Sequence, residues 1–405
     1  MALRKHLLVS SHTLSRAAVT VRGAMTWLFV RSSWMLPPLA LAFGVRIVLL
    51  LAAQIFIRII PGQPVRGLFT IWSRFDVGWY LSIVEQGYQY RPQAASSVNF
   101  FPLYPITIWM GQHILNPIFG AQADLVAGMA ISWLAFAAAC VVLYRLVAQR
   151  FDHQTAITAI VLLATFPFSF YYGAAYTESL YLLLTVVAFY GVERQAWWLA
   201  GVAALFAGAV RPNGFIVGAC VVLAYALDWV QQRRPLRWNV LALALTPLGT
   251  GAYFVYCAVR FGDPFAYVQV SQQERHAGRI QLGTIVWFLK LLRYANHWLA
   301  TTNFNMIVWT LYGLLFVAAL VGLVFVFRSL GPVYAFFTLA SLAAPVLTNP
   351  VPTSLGRYIS VIFPLFIVLA LAVRHRSALR EVLTIGCSIF LALFTFLFVM
   401  HYPVY

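Results

Sequence analysis

The chain reads as an all-α polytopic membrane protein, and three observations carry that reading. Its 405 residues are 62% hydrophobic and only 9% charged, where a soluble domain carries about 25% charged residues. Mean hydropathy is +0.84. The apolar residues fall in runs long enough to span a bilayer as helices, without the short alternating segments of a membrane β-barrel.

The net charge of +17 sits in short basic clusters between apolar runs. That is the pattern of topology signals, so no nucleic acid is expected as a partner. Cys140, Cys220, Cys257 and Cys387 lie scattered inside apolar runs. No spacing among them suggests a metal site or a disulfide framework, and they read as small core side chains.

Taken in order, residues 1–34 hold Arg4, Lys5, Arg16, Arg22 and Arg31 with no acid and no long apolar core. They read as a basic amphipathic cytoplasmic segment on anionic lipid, not a cleavable signal; a mitochondrial presequence is the alternative. Residues 35–405 read as one membrane-embedded unit. The first span, 35–60, is interrupted by Arg46 and Arg58, so at least one of them faces protein or snorkels. Residues 61–124 form a long first outer loop. Within it, 77–86 reads as a short helix closed by Gly87, and 103–118 as a helix behind Pro102 and Pro105. Further spans are expected over 125–147, 154–172, 178–193, 197–210, 214–231, 239–258, 305–327, 333–348, 358–373 and 383–401, about eleven in all. Two are short for a full crossing and are expected to be tilted, broken or packed inside. In a second long outer loop, 259–304, residues 280–300 read as an amphipathic interfacial helix.

Lys and Arg in alternate connections place the N-terminal cluster, Arg145/Arg150, Arg194, Arg233/Arg234/Arg237, Arg328 and Arg374/Arg376/Arg380 on the cytoplasmic side. The opposite side nevertheless carries Arg66, Arg74, Arg91, Arg211, Arg260, Arg275, Arg279, Lys290, Arg293 and Arg357. Arg211 and Arg357 lie in very short turns, costly places for a cation unless it is paired. A phosphate is one such partner. Lipid headgroups and the outer acids Glu178, Asp263 and Glu274 are others, although only Glu178 lies in a comparably short turn, which leaves one of the two arginines without an obvious partner.

Asp76 is the first acid in the chain. As structure it is a good N-cap for the helix over 77–86, a place Ser73 also suits. As chemistry it is a general base for a sugar hydroxyl at the membrane boundary. Trp72, Phe75, Trp79 and Tyr80 around it suit sugar stacking and an interfacial aromatic belt equally. There is no DxD pair, so no metal is expected. Tyr176-Thr177-Glu178-Ser179 reads as a helix start capped by Thr177, with Glu178 favoured by the helix dipole. Alternatively, Glu178 is a second carboxylate facing the same cavity. Arg211-Pro212-Asn213-Gly214 is a further turn on that side.

These residues resemble a family. Arg74-Phe75-Asp76-Val77-Gly78-Trp79-Tyr80-Leu81-Ser82-Ile83, followed by Gly87-Tyr88, resembles the first outer loop of PIG-V-type mannosyltransferases in the GT-C superfamily. Phe100-Phe101-Pro102-Leu103-Tyr104-Pro105, Tyr176-Thr177-Glu178-Ser179-Leu180 and Arg211-Pro212-Asn213-Gly214 are similar to its next motifs, and Arg357-Tyr358 before Pro364 to a late, weaker one. Each motif alone is weak, but five occur in order. The resemblance implies a GT-C-like bundle with a long helical first outer loop. It also implies inverting transfer of a sugar, mannose above all, from a polyprenyl- or dolichyl-phosphate donor to a hydroxyl of a lipid-linked or glycan acceptor. Asp76 takes the catalytic position; Arg74, Arg211, Arg357, Glu178, Asn213, Trp79, Tyr80, Tyr104 and Tyr358 are the expected substrate-binding residues. Val77-Gly78-Trp79-Tyr80 stands where eukaryotic members often have His, so the chain looks closer to a bacterial member, with the acceptor left open between a glycosylphosphatidylinositol precursor and another. The expected location is the bacterial plasma membrane with the site on the outer face, or the lumenal face of the endoplasmic reticulum for a eukaryotic chain. A transporter or flippase of lipid-linked sugars is the alternative, but the polar residues cluster on one side rather than at the midplane.

Overall fold

A computed structural model describes residues 33–61, 67–92, 94–232, 237–274, 304–348 and 354–402, with isolated positions between 283 and 289. The basic segment up to residue 32 and, apart from those positions, the interfacial helix expected over 280–300 lie outside the described residues. Every described element is helical. In chain order they are α1 (Leu36–Ile59), α2 (Val77–Gln86), α3 (Leu103–Phe119), α4 (Ala123–Arg150), α5 (His153–Thr165), α6 (Glu178–Glu193), α7 (Trp197–Val210), α8 (Gly214–Gln232), α9 (Leu248–Phe261), α10 (Ala266–Glu274), α11 (Phe304–Leu330), α12 (Pro332–Thr348), α13 (Leu355–Ser360), α14 (Phe363–Val373) and α15 (Ser377–Val399).

Among the described residues, five helical runs are long and apolar enough to cross a membrane, and a pair bent by 44° makes a sixth. The shorter apolar helices α5, α7, α12 and α14 pack among them. Part of the difference from about eleven spans is length, α6, α7 and α12 having 16, 14 and 17 residues, and part is proline. The run expected over 154–172 stops at Thr165, ahead of Pro167, and resumes as a 3-10 turn over Ser169–Tyr172. The run over 239–258 is a 3-10 helix, Trp238–Leu245, bent into α9 at Pro247. The run over 358–373 divides into α13 and α14, which carries Pro364 in its first turn. Proline lacks the N–H for the ladder and crowds the preceding carbonyl, so each run breaks there.

Such breaks strand backbone carbonyls inside the bundle, and these need donors. Arg46 of α1, 1% exposed, supplies them: its guanidinium donates to the carbonyls of Ser169 and, at 2.7 Å, Ala164. It lies over the rings of Phe136 and Tyr172. Arg46 is thus the arginine of the first span that faces protein, while Arg58 is exposed. The main core joins α1, α4 to α8 and α11 to α15. The loop helices α2 and α3 pack beside α4 through Tyr80, Phe100, Tyr104 and Ala127.

The connections sort to two ends. At one, α4, α6, α11 and α12 meet through Arg150, Glu193, Ser329, Leu330 and Tyr334. At the other, the starts of α2 and α6, the end of α7 and α13 meet through Asp76, Glu178, Arg211 and Arg357.

Candidate active site

The site is assembled from four short turns. Asp76 follows Phe75, whose φ of 51° is a left-handed value that a bulky side chain adopts only under constraint. Phe75 is packed on Phe398 and His401. Asp76 occupies the N-cap position of α2 yet makes no side-chain cap bond. Its Oδ2 instead accepts from Arg357 Nη1 at 2.5 Å. Asp76 thus has the expected N-cap position but not the expected capping bond. Thr177 likewise makes no cap bond for α6; Tyr80 Oη donates to it at 3.5 Å.

Arg357 rides on α13, a helix of 6 residues. Ser354 enters it with φ 61°. A Cβ on Gly356 would enter the ring of Phe168, so the close seat of α13 requires glycine there. Tyr172 Oη, donating to the Ser360 carbonyl at 2.7 Å, ties the end of α13 to the 3-10 turn that Arg46 holds. The Arg357 guanidinium lies 4.6 Å from the Tyr176 ring centre and 5.3 Å from that of Tyr171, an arrangement favourable for a desolvated cation.

Glu178, the first residue of α6, is fully buried. Its Oε1 accepts from both arginines: from Arg211 Nη1 at 2.7 Å and from Arg357 Nε. Its Oε2 is buried without a hydrogen-bond partner. Arg211 ends α7 in extended backbone. The turn that follows presses so closely on the Ala207 carbonyl that only glycine fits at Gly214. The rings of Tyr358 and Tyr181 flank Arg211 at 5.3 and 5.7 Å. The expectation that one of these arginines lacks a protein partner is therefore corrected: a single carboxylate oxygen serves both. The sequence separations of 33 and 179 residues hide that sharing.

The cluster borders a cavity of about 290 Å3 whose lining includes Asp76, Tyr80, Arg211, Asn213, Arg357 and Tyr358. Asn99, Thr177, Tyr267 and Ser271 line it too, with Ser271 Oγ donating to Asn99 Oδ1 at 3.0 Å. Sequence reasoning missed Asn99, Tyr267 and Ser271. Adjacency to Phe100-Phe101-Pro102 was a signal for Asn99; Tyr267 and Ser271 of α10 carried none. Four expected binding residues stand outside the cavity lining. Glu178, expected to face the same cavity as Asp76, is instead fully buried and reaches it only through the two arginines. Arg74 donates twice to the Val399 carbonyl, at 3.0 and 2.8 Å, and so clamps the end of α15. Tyr104 is fully buried, its hydroxyl bound to Gly128 and Ser132 of α4. Trp79 stacks on Phe100 at 5.8 Å. Among the described residues no three His, Cys, Asp or Glu side chains converge.

This bundle is the GT-C type of membrane glycosyltransferase fold. It superposes on ArnT from Cupriavidus metallidurans, a structure bound to undecaprenyl phosphate, with a TM-score of 0.53 at 14% identity, covering 88% of this chain and 63% of that one. The Archaeoglobus fulgidus oligosaccharyltransferase, in a complex with Zn and sulfate, gives 0.51 at 15% identity over 90% and 53% of the two chains. The profile described as Mannosyltransferase (PIG-V) matches residues 52–279, and the chain belongs to that family. Among curated relatives, the GPI alpha-1,6-mannosyltransferase 2 of Mus musculus is 26% identical over 61% of this chain and 58% of its own length. The Homo sapiens protein is 31% identical over 38% and 31%. The chain thus spans less than two thirds of these relatives' length. The transporter alternative finds no support in any of this.

Proposed function

We propose that the chain is an integral membrane mannosyltransferase. It moves mannose from a polyprenyl- or dolichyl-phosphate donor to a hydroxyl of a lipid-linked or glycan acceptor, with inversion. The observation that carries this reading is the cluster itself: Asp76, Arg211 and Arg357 line one cavity, and the buried Glu178 is bonded to both arginines. The acceptor hydroxyl loses its proton to Asp76 as its oxygen attacks the anomeric carbon. The bond from that carbon to the phosphate oxygen breaks on the opposite face, and the polyprenyl phosphate leaves. Arg211 and Arg357 stabilise the charge that develops on the phosphate. Guanidinium forks suit that role, so the reaction proceeds without a metal. The Lys/Arg pattern supports a site facing away from the cytoplasm.

The test is turnover by the purified chain with a panel of polyprenyl-phosphate sugars, each with and without EDTA. Mannosyl transfer that survives chelation is expected. Failure with every donor would remove the transferase reading, and loss on chelation reversed by a divalent ion would remove the metal-free one.

A further inference from the structure

We propose that the donor phosphate and Asp76 compete for Arg357, so that donor binding is what releases the base. This rests on the glycosyl-transfer reading above. In the structure Arg357 bridges the two carboxylates, Nη1 to Asp76 and Nε to Glu178, while Arg211 also holds Glu178. Two cations meet two anions, and the cluster is neutral. A phosphodiester adds a third anion to the same pair of guanidiniums, and one carboxylate must yield.

The burial of the two decides which. Glu178 is 0% exposed, its Oε2 already lacks a partner, and its Oε1 serves both arginines. Taking Arg357 from it would leave a charged carboxylate in the core with Arg211 as its one donor, a severe penalty. The Asp76 side chain is 25% exposed and lines the cavity, so water can take over its oxygens. Arg357 itself stays, held between Glu178 and the rings of Tyr176 and Tyr171. Glu178 is the fixed anchor of both arginines, and Asp76 is the exchangeable ligand.

While Oδ2 accepts from Arg357, the carboxylate is directed at a guanidinium. A base must come within hydrogen-bond reach of the proton it takes. Once phosphate occupies Nη1, Asp76 is free to turn to the acceptor hydroxyl and receive its proton. Transfer then follows as written above, and departure of the polyprenyl phosphate restores the Arg357–Asp76 bond. Donor therefore binds before the acceptor is deprotonated.

The experiment is a double-mutant cycle on binding of undecaprenyl phosphate, which carries no sugar to transfer, to the full chain in lipid nanodiscs. Asp76→Asn is expected to bind it about tenfold more tightly than the native chain, the scale of one charge-assisted contact no longer contested. In an Arg357→Ala background the same substitution should change affinity by less than about twofold. Arg357→Met, which keeps the stem over Tyr176, replaces the alanine variant should that fail to fold. Equal affinity of Asp76→Asn and the native chain overturns the proposal. So does a gain of the same size without Arg357, which would be charge removal at a distance. Absence of binding by both chains overturns it together with the donor assignment. Turnover reports separately: an Asp76→Asn chain working at near-native rate defeats Asp76 as the base whatever the binding cycle gives.

Discussion

Arg211–Glu178 and Arg150–Glu193 are ion pairs of equal length, 2.7 Å each, at opposite ends of the bundle. Their settings differ. The side chains of Arg150 and Glu193 are 33% and 36% exposed, those of Arg211 and Glu178 10% and 0%. Arg150 also donates to the carbonyls of Ser329 and Leu330 at the end of α11, where Gly331 turns the chain at φ 99°. Tyr334 Oη completes the set on Glu193. Those contacts splice helix ends. In the other pair Arg211 lines a cavity, while the buried Glu178 is shared with a second arginine and keeps one oxygen unpartnered. Distance alone does not separate a staple from a reactive site; burial and the sharing of partners do. Exposed pairs contribute about 0–1 kcal/mol, whereas removing one partner of a buried pair costs about 3–5 kcal/mol.

The comparison can be broken most forcefully at Asp76. Asp76→Asn should fold and still bind donor while turnover drops at least about a hundredfold, the scale of a lost general base; near-native turnover would sink the assignment. Next come the arginines. Arg→Ala at Arg211 or Arg357 should nearly abolish donor use at one of the two sites. Arg→Lys there, which keeps the charge and loses the fork, should weaken it about tenfold. The acceptor's apparent affinity should hardly move. Normal donor kinetics in both alanine variants would make these arginines structural. At the opposite end, Arg150→Ala should lower stability by no more than about 1 kcal/mol and leave turnover within about twofold; a larger loss of activity would erase the distinction between the ends. Finally, single cysteines at Gln89 and Arg194, both exposed, in a chain with Cys387 changed to Ser, should react with an impermeant thiol reagent from opposite sides of the membrane. Reaction from the same side would overturn the topology.

The membrane class and the motif turns were legible because each is local. Runs of apolar residues declare helices, and Pro, Gly and Asp in order mark the turns that bear the site. What the sequence hid depends on partners far along the chain. Arg74 sits in the same motif as Asp76, yet its partner is the Val399 carbonyl, 325 residues on. Tyr104 reads as a loop aromatic near substrate, but Gly128 and Ser132 claim its hydroxyl. Glu178 could be read as a partner for one of the two short-turn arginines, but nothing local announced that both meet on one of its oxygens. The count of spans was blurred by the proline breaks, since hydropathy does not record whether an apolar run stays one straight helix.

The clamp from Arg74 to Val399 has a consequence for biosynthesis. Chains emerge N-terminus first, so the loop bearing Asp76 leaves the ribosome long before α15. Until that last helix is in place, the Arg74 guanidinium lacks the carbonyl it binds, and Phe75 lacks Phe398 and His401 against which it holds its left-handed turn. The loop bearing Asp76 is therefore made early and set late. A chain that ends before α15 carries Asp76 without the contacts that hold its turn.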